Sequence, residues 1–254
     1  MINTVGLRTL LVKEIKRFLK VWQQTVISPL MTTALYFLVF GVALGGRIDR
    51  IHGVEYIEFV IPGLIMLAMI TNSFLNAASS LFQSKINGTI VDLLVSPLGT
   101  FEVLAAYVAA ATVRAFLVGA LVYAVAASFT GPSVNNLFWA LYFGLMVSVS
   151  FSLLGLIAAI WAEKFDHLSL FPNFILTPLT FLGGVFYSID MLPAPWDVVS
   201  KLNPILYVVN GLRYGLLGTS DVPVMSAAAA AAALATALFV IAVLLLGRGY
   251  KLRA

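Results

Sequence analysis

The chain has 254 residues, of which 61% are hydrophobic and only 10% charged. A soluble domain of that composition has too little polar surface to show water, so the chain reads as a single integral membrane domain. Its formal charge of +4 follows membrane topology and is no signal for nucleic acid; with no cysteine and two widely separated histidines, disulfides, thiol chemistry and a histidine-based metal site are not expected.

Leu7, Leu10, Leu11, Ile15, Phe18, Leu19 and Trp22 recur at helical spacing, with Lys13, Lys16, Arg17 and Lys20 on another face. Residues 1–24 therefore predict an amphipathic interfacial helix, basic side toward anionic headgroups. The helix either only sets topology or also touches a cytosolic partner. Its basic residues are too dispersed, and the apolar run behind it too long, for a cleavable signal peptide.

Six apolar segments qualify as spans of about twenty residues: 26–44, 59–78, 103–127, 137–162, 168–188 and 225–246. Arg8, Lys13, Lys16, Arg17 and Lys20 precede them, Arg248, Lys251 and Arg253 follow, and Lys85 and Lys164 fall after the second and fourth. On the other side Arg47, Arg50, Lys201 and Arg213 are diluted by Asp49, Glu55, Glu58, Asp190, Asp197 and Asp221. The positive-inside bias then puts both termini in the cytoplasm.

Within the spans, Pro29 lies near the inner end of the first and Gly45-Gly46 closes it. Glu58 and Pro62 open the second, where a proline lacks only an orphan N–H and an acid suits the helix dipole. Residues 84–98 are polar at the front and apolar behind, stopped by Pro97 and Gly99. They form either a short cytoplasmic helix that inserts Ile90, Leu93 and Leu94 into a partner's groove or an amphipathic loop lying on the membrane. Arg114 sits inside the third span, either snorkelling to the cytoplasm or serving substrate passage or headgroup binding. Ser148, Ser150 and Ser152 suit hydrogen bonding between helices and close packing. Pro172 and Pro178 favour kinks in the fifth span, and the alanine run 227–233 opens the sixth.

Between the fifth and sixth spans, residues 189–224 are turn-rich. The apolar run 204–217 is too short to cross and reads as a re-entrant or interfacial helix. No G-x-x-x-x-G-K-[ST], H-E-x-x-H or G-x-S-x-G is present, and the acids lie apart in loops or near span ends. An active transporter with this sequence draws its energy from another polypeptide.

Phe59-Val60-Ile61-Pro62-Gly63, the stretch Leu93-Leu94-Val95-Ser96-Pro97-Leu98, and Leu182-Gly183-Gly184-Val185-Phe186-Tyr187 stand in order along the chain. Leu192-Pro193, Pro195-Trp196, Leu202-Asn203-Pro204 and Arg213-Tyr214 follow them. In that order and spacing the chain resembles the membrane-spanning permease of ABC-2 type transporters, bacterial exporters of polysaccharides, lipid-linked glycans, nodulation factors and drugs. The resemblance covers essentially the whole chain and implies an all-α fold: six transmembrane helices, the amphipathic N-terminal helix, and re-entrant helices between spans five and six. It implies a non-catalytic subunit of the bacterial inner membrane that pairs with a second permease copy. Two P-loop ATPase subunits would drive it, with ATP and magnesium bound on them and no cofactor on this chain.

Under that resemblance residues 81–100 are the coupling region, with Lys85, Asn87, Gly88, Asp92, Leu93, Leu94, Val95 and Pro97 at the ATPase contact. Gly183, Gly184, Pro193, Trp196, Asn203, Pro204 and Arg213 form the outer gate. Tyr36, Phe40, Phe181 and Tyr187, with Glu58 and Arg114, are candidate pathway residues, although aromatics in spans also serve as interfacial belts. The competing readings are an ATP-independent channel or scaffold and a lipid-modifying enzyme.

Overall fold

The computed structural model describes residues 3–43, 50–131 and 134–251; Gly45-Gly46, Arg47, Asp49 and Arg253 lie outside them. The described residues are helical apart from turns and one isolated bridge between Ile51 and Val54. Helix α1 (Thr4–Lys20) begins at Asn3, whose side chain accepts a hydrogen bond from Gly6 N–H. Four later helices are long and apolar enough to cross a membrane: α3 (Tyr56–Ile86), α5 (Thr100–Thr130), α6 (Leu137–Trp161) and α11 (Val224–Gly247). They match the second, third, fourth and sixth expected spans.

The first and fifth expected spans take a different form. Each is a run of short helical pieces joined end to end: π-helical Gln23–Ile27, α2 (Ser28–Tyr36) and π-helical Phe37–Ala43, then α7 (Phe165–Leu170), π-helical Phe171–Leu176 and α8 (Thr177–Phe181). Prolines accompany two of the three π runs, Gln23–Ile27 and Phe171–Leu176, while Phe37–Ala43 has none in or beside it. Pro29, Pro172 and Pro178 each stand in the first turn of a piece, where the missing N–H frees a carbonyl of the preceding turn, and a π turn precedes or contains them. Thr177 Oγ1 donates to the Pro172 carbonyl at 2.8 Å, satisfying one displaced acceptor.

Helix α3 is the central element, packed against α5, α6 and α10 (Pro204–Leu217). Its start is earlier than expected, so Pro62 lies inside the helix, past the orphan N–H groups, and removes an intrahelical bond. Gly155 of α6 lets the two backbones meet, because a Cβ there would strike the Phe74 carbonyl oxygen of α3. The alanine run has a structural use: Ala227 and Ala231 begin the buried stripe of α11, which continues through Ala235, Ala242 and Leu246. The serines of α6 are buried, but Ser148 and Ser152 donate to their own helix, at Gly144 O and Val149 O, and do not bridge helices as expected.

One end of the bundle collects the two ends of the described chain. Asn3 N–H donates to Glu102 at the start of α5 (2.9 Å), and Lys251 pairs with Glu163 just after α6 (2.6 Å). Helix α4 (Ile90–Val95) lies at the same end, reached from α3 through Gly88, whose φ of 74° needs glycine.

Candidate functional site

Three clusters hold the coupling residues, most of the outer-gate residues and Arg114, and the remaining expected residues lie outside them. The first is the segment around α4. Ile90 is buried, Leu93 half-buried, and Val91, Leu94 and Val95 are exposed, Val95 at 76%. A six-residue helix thus leaves an apolar knob outside the bundle. Its base is fastened: Asn3 Nδ2 donates to Pro97 O (3.2 Å), and the Glu102 carboxylate accepts from the Asn3 and Gly99 backbone N–H groups. Beneath it, α1 and α4 enclose a groove of 530 Å³ lined by Leu10, Lys13, Asp92, Leu93 and Pro97 among others. Asn87 ends α3 and Gly88 makes the turn. Lys85 faces the bundle: its ammonium donates to Ile160 O (3.1 Å) and Ala162 O (2.8 Å), pinning the end of α3 to the end of α6.

The second cluster joins the loop 182–187 to α10 (Pro204–Leu217) and α3. Arg213 is fully buried, its guanidinium centre 3.8 Å above the Phe59 ring. It donates to Gly184 O (2.6 Å) and Asn210 Oδ1 (3.1 Å) and faces the fully buried Asp221 carboxylate at 3.7 Å. Asp221 in turn accepts from Ser188 Oγ and Ile189 N–H at 3.0 and 3.1 Å, and Asn210 Oδ1 accepts from the Asp221 N–H. Tyr56 OH donates to Phe186 O, and Gly63 leaves room for Val185, whose backbone would meet a Cβ there. Asn203 caps α10 and reaches Leu179 O of α8, while Pro204 opens the helix. Gly183 packs on Ile205, and Gly184 has φ of 72°.

Pro193 and Trp196 stand apart from this interlocked group, exposed beside α9 (Trp196–Lys201). Composition alone did not bring His52 here. It lies 3.1 Å from Asp221 Oδ1 and 3.7 Å from Asp190 Oδ2, so three potential ligand atoms fall within 4.8 Å of one another. The Asp221 oxygens, however, already serve Ser188, Ile189 and Arg213.

The candidate pathway residues separate into different places. Phe40 stacks on Phe186 at 4.3 Å, with Tyr36 and Phe181 at 5.8 and 5.4 Å, so one aromatic cluster ties the first segment to the fifth. Tyr187 makes none of these ring contacts. Glu58 faces a small cleft with Tyr123 and Leu217.

Arg114 belongs to the third cluster, toward the α4 end of α3. Its Nε and Nη2 donate to Asn72 Oδ1 (3.2 and 3.0 Å) and its Nη1 to Asn76 Oδ1 (3.4 Å). Arg17 turns inward, against the basic-face expectation for α1, and donates to Asn76 O and Oδ1, both at 2.9 Å. Glu14, also buried, pairs with Arg17 at 3.1 Å and accepts from Ser80. Sequence reading missed Asn72, Asn76 and Glu14. Two asparagines four apart in an apolar span, and one acid three before an arginine, were the available signals.

The ABC-2 type transporter family matches residues 5–217. The chain belongs to the ABC-2 type transporter family. It is 42% identical over 250 residues, 98% of both chains, to the inner membrane transport permease YadH of Escherichia coli (strain K12). It is 24% identical over 201 residues to nodulation protein J of Rhizobium meliloti (strain 1021), covering 79% of this chain and 77% of that one. Within the family, the 182–187 loop and α10 are the fastened part of this permease, and α4 is the part left projecting.

Proposed function

We propose that this permease is the membrane-spanning half of an inner-membrane exporter, paired with a second copy and driven by separate ABC ATPase subunits. The exposed Val91, Leu94 and Val95 on a fastened six-residue helix carry this reading. A knob of that shape fits a groove on a partner, and membrane lipid would not require its base to be clamped to α1 and α5. The chain itself is not catalytic, and ATP and magnesium would bind on the ATPase partner.

In this reading all six segments cross the membrane and both termini, with residues 81–100, face the cytoplasm. The first and fifth cross as π-interrupted helices, and residues 189–224 re-enter from the outside. The ATPases close on hydrolysable ATP and push α4. The push passes through Asn3, Pro97 and Glu102 to α1 and α5, and through Lys85 to the joined ends of α3 and α6. The first and fifth segments, whose proline-marked π turns bend most readily, would then move against the partner permease. Gly183, Gly184, Asn203, Pro204 and Arg213 hold the outer mouth, with Pro193 and Trp196 at its rim. Tyr36, Phe40, Phe181 and Tyr187 border the path. Of the coupling residues, Asn87 and Gly88 place α4, Asp92 lies on its exposed side, and Leu93 faces the groove.

Affinity purification in mild detergent tests the reading. A stoichiometric P-loop ATPase should accompany the chain and be lost in Leu94→Asp, with thermal stability changed by less than about 0.5 kcal/mol, as for an exposed site. Recovery of the Leu94→Asp variant with a full complement of ATPase would remove α4 as the docking element.

A further inference from the structure

We propose that the cavity between Arg17 and Arg114 is a binding site for the phosphate headgroup of an anionic lipid on the cytoplasmic side of the permease. The location rests on the topology proposed above; the chemistry does not. The cavity measures 370 Å³ and is lined from the α1 end, α3, α5 and α7. That is the lower range of small-ligand pockets, about 300–1,000 Å³, enough for a headgroup and too small for a polymer.

Its electrostatics call for an anion. Two guanidiniums converge on a single oxygen, Asn76 Oδ1. Glu14 answers Arg17, but Arg114 meets only amide oxygens, and no ion pair to it is found among the described residues. A cation held within a membrane span against neutral partners is costly and marks a site that a counter-charge completes. Guanidinium forks match phosphate oxygens, and Gln24, Ser79 and Gln83 add polar groups around the opening. Val21, Leu75, Phe165 and Leu168 form an apolar wall. A free phosphate has no use for that wall, whereas the glycerol and first acyl carbons of a lipid do.

The occupant would touch the first and fifth segments at once through Gln24 and Phe165, the two segments interrupted by π turns. Binding there would therefore sense or bias their separation.

Native mass spectrometry of the full chain in detergent, titrated with phosphatidylglycerol or phosphatidylcholine, tests the proposal without any ATPase present. Phosphatidylglycerol should be retained about tenfold more strongly, a difference of about 1.4 kcal/mol. Arg114→Gln and Ser169→Glu, which places a carboxylate at the exposed rim, should both abolish the preference, and Arg114→Lys should keep part of it. Equal retention of the two lipids, or an unchanged preference in Ser169→Glu, would overturn the site. Millimolar inorganic phosphate should leave the lipid bound; displacement would overturn the lipid assignment in favour of a soluble anion. Because Leu94→Asp leaves this cavity untouched, lost ATPase docking with intact lipid preference would count against the transporter coupling alone.

Discussion

Arg213 and Arg114 both lie within the helical bundle, against opposite stretches of α3, and their surroundings differ in almost every respect. Phe59 and Asn72 to Asn76 are separated by about 20–25 Å along that helix. Arg213 has no exposure, an aromatic face, a backbone carbonyl, an amide and a buried carboxylate around it. Arg114 has amides, a second arginine nearby and an open cavity. The first is a closed structural fastening and the second an incomplete one. A buried cation whose partners all come from the fold ties that fold together, while one whose counter-charge is missing leaves room for something that comes and goes.

The largest effect should follow from opening the closed site. Asp221→Ala strips the carboxylate from a fully buried arginine and should cost about 3–5 kcal/mol, read as a large drop in the apparent melting temperature of the purified protein. A drop no larger than that of an exposed substitution would mean that Asn210, Gly184 and Phe59 suffice, and the contrast with Arg114 would lose its basis. Next comes the close approach that seats the 182–187 loop. Gly63→Ala should cost about 1–3 kcal/mol, because the new methyl meets the backbone of Val185 and not a side chain that can swing away. The same measurement on Arg114→Gln should show a change of less than about 1 kcal/mol, since a glutamine can still donate to Asn72 and the removed charge had no carboxylate partner. If Arg114→Gln destabilised as much as Asp221→Ala, the third cluster would be a fastening too.

What the sequence revealed of these sites depended on distance along the chain. The helix-forming apolar runs were plain because span length and periodicity are local properties, and four of them stand as single long helices. The π turns were not legible: proline marks a disturbed helix but does not say whether the register slips by one residue or the axis kinks. Arg213 stood out in a motif, yet Asp221 read only as one of several loop acids. What joins them is the turn at Gly218, φ 78°, which ends α10 and returns the chain over Asn210. Arg114 was visible as a charge in a span, but its environment is made by Asn72 and Asn76 of α3 and by α1, whose inward-facing Glu14 and Arg17 broke the expected basic face. A helical wheel sorts residues by angle and cannot tell which side of a helix another helix will cover.

The pair Glu163–Lys251 supplies the reference that both buried sites lack: formally a salt bridge, 2.6 Å long, but standing at the open end of the bundle. The Lys251 hydrogen bond, then its charge, hold the Glu163 carboxyl below its ordinary value of 4.5, and the Glu163 hydrogen bond holds the Lys251 ammonium above 10.5. A lowered carboxyl contributes stability above its unfolded value and loses it as pH falls through the folded one. A raised ammonium contributes below its unfolded value and loses it as pH rises through the folded one. The tether should therefore hold the C-terminal tail across the range from about 4.5 to 10.5 and release it first on the acid side, below the carboxyl's ordinary value. Hydrogen exchange at the end of α11, corrected for the intrinsic pH dependence of amide exchange, should report the release, with Glu163→Gln showing lost protection already at pH 7 and the wild type losing it below the carboxyl's ordinary value. Raised salt should speed wild-type exchange at pH 7 but leave Asp221 and Arg213 protected, because screening reaches an exposed pair and not a buried one. Equal salt sensitivity at the two sites would mean that water enters the Arg213 cluster, and that the closed arginine is not closed.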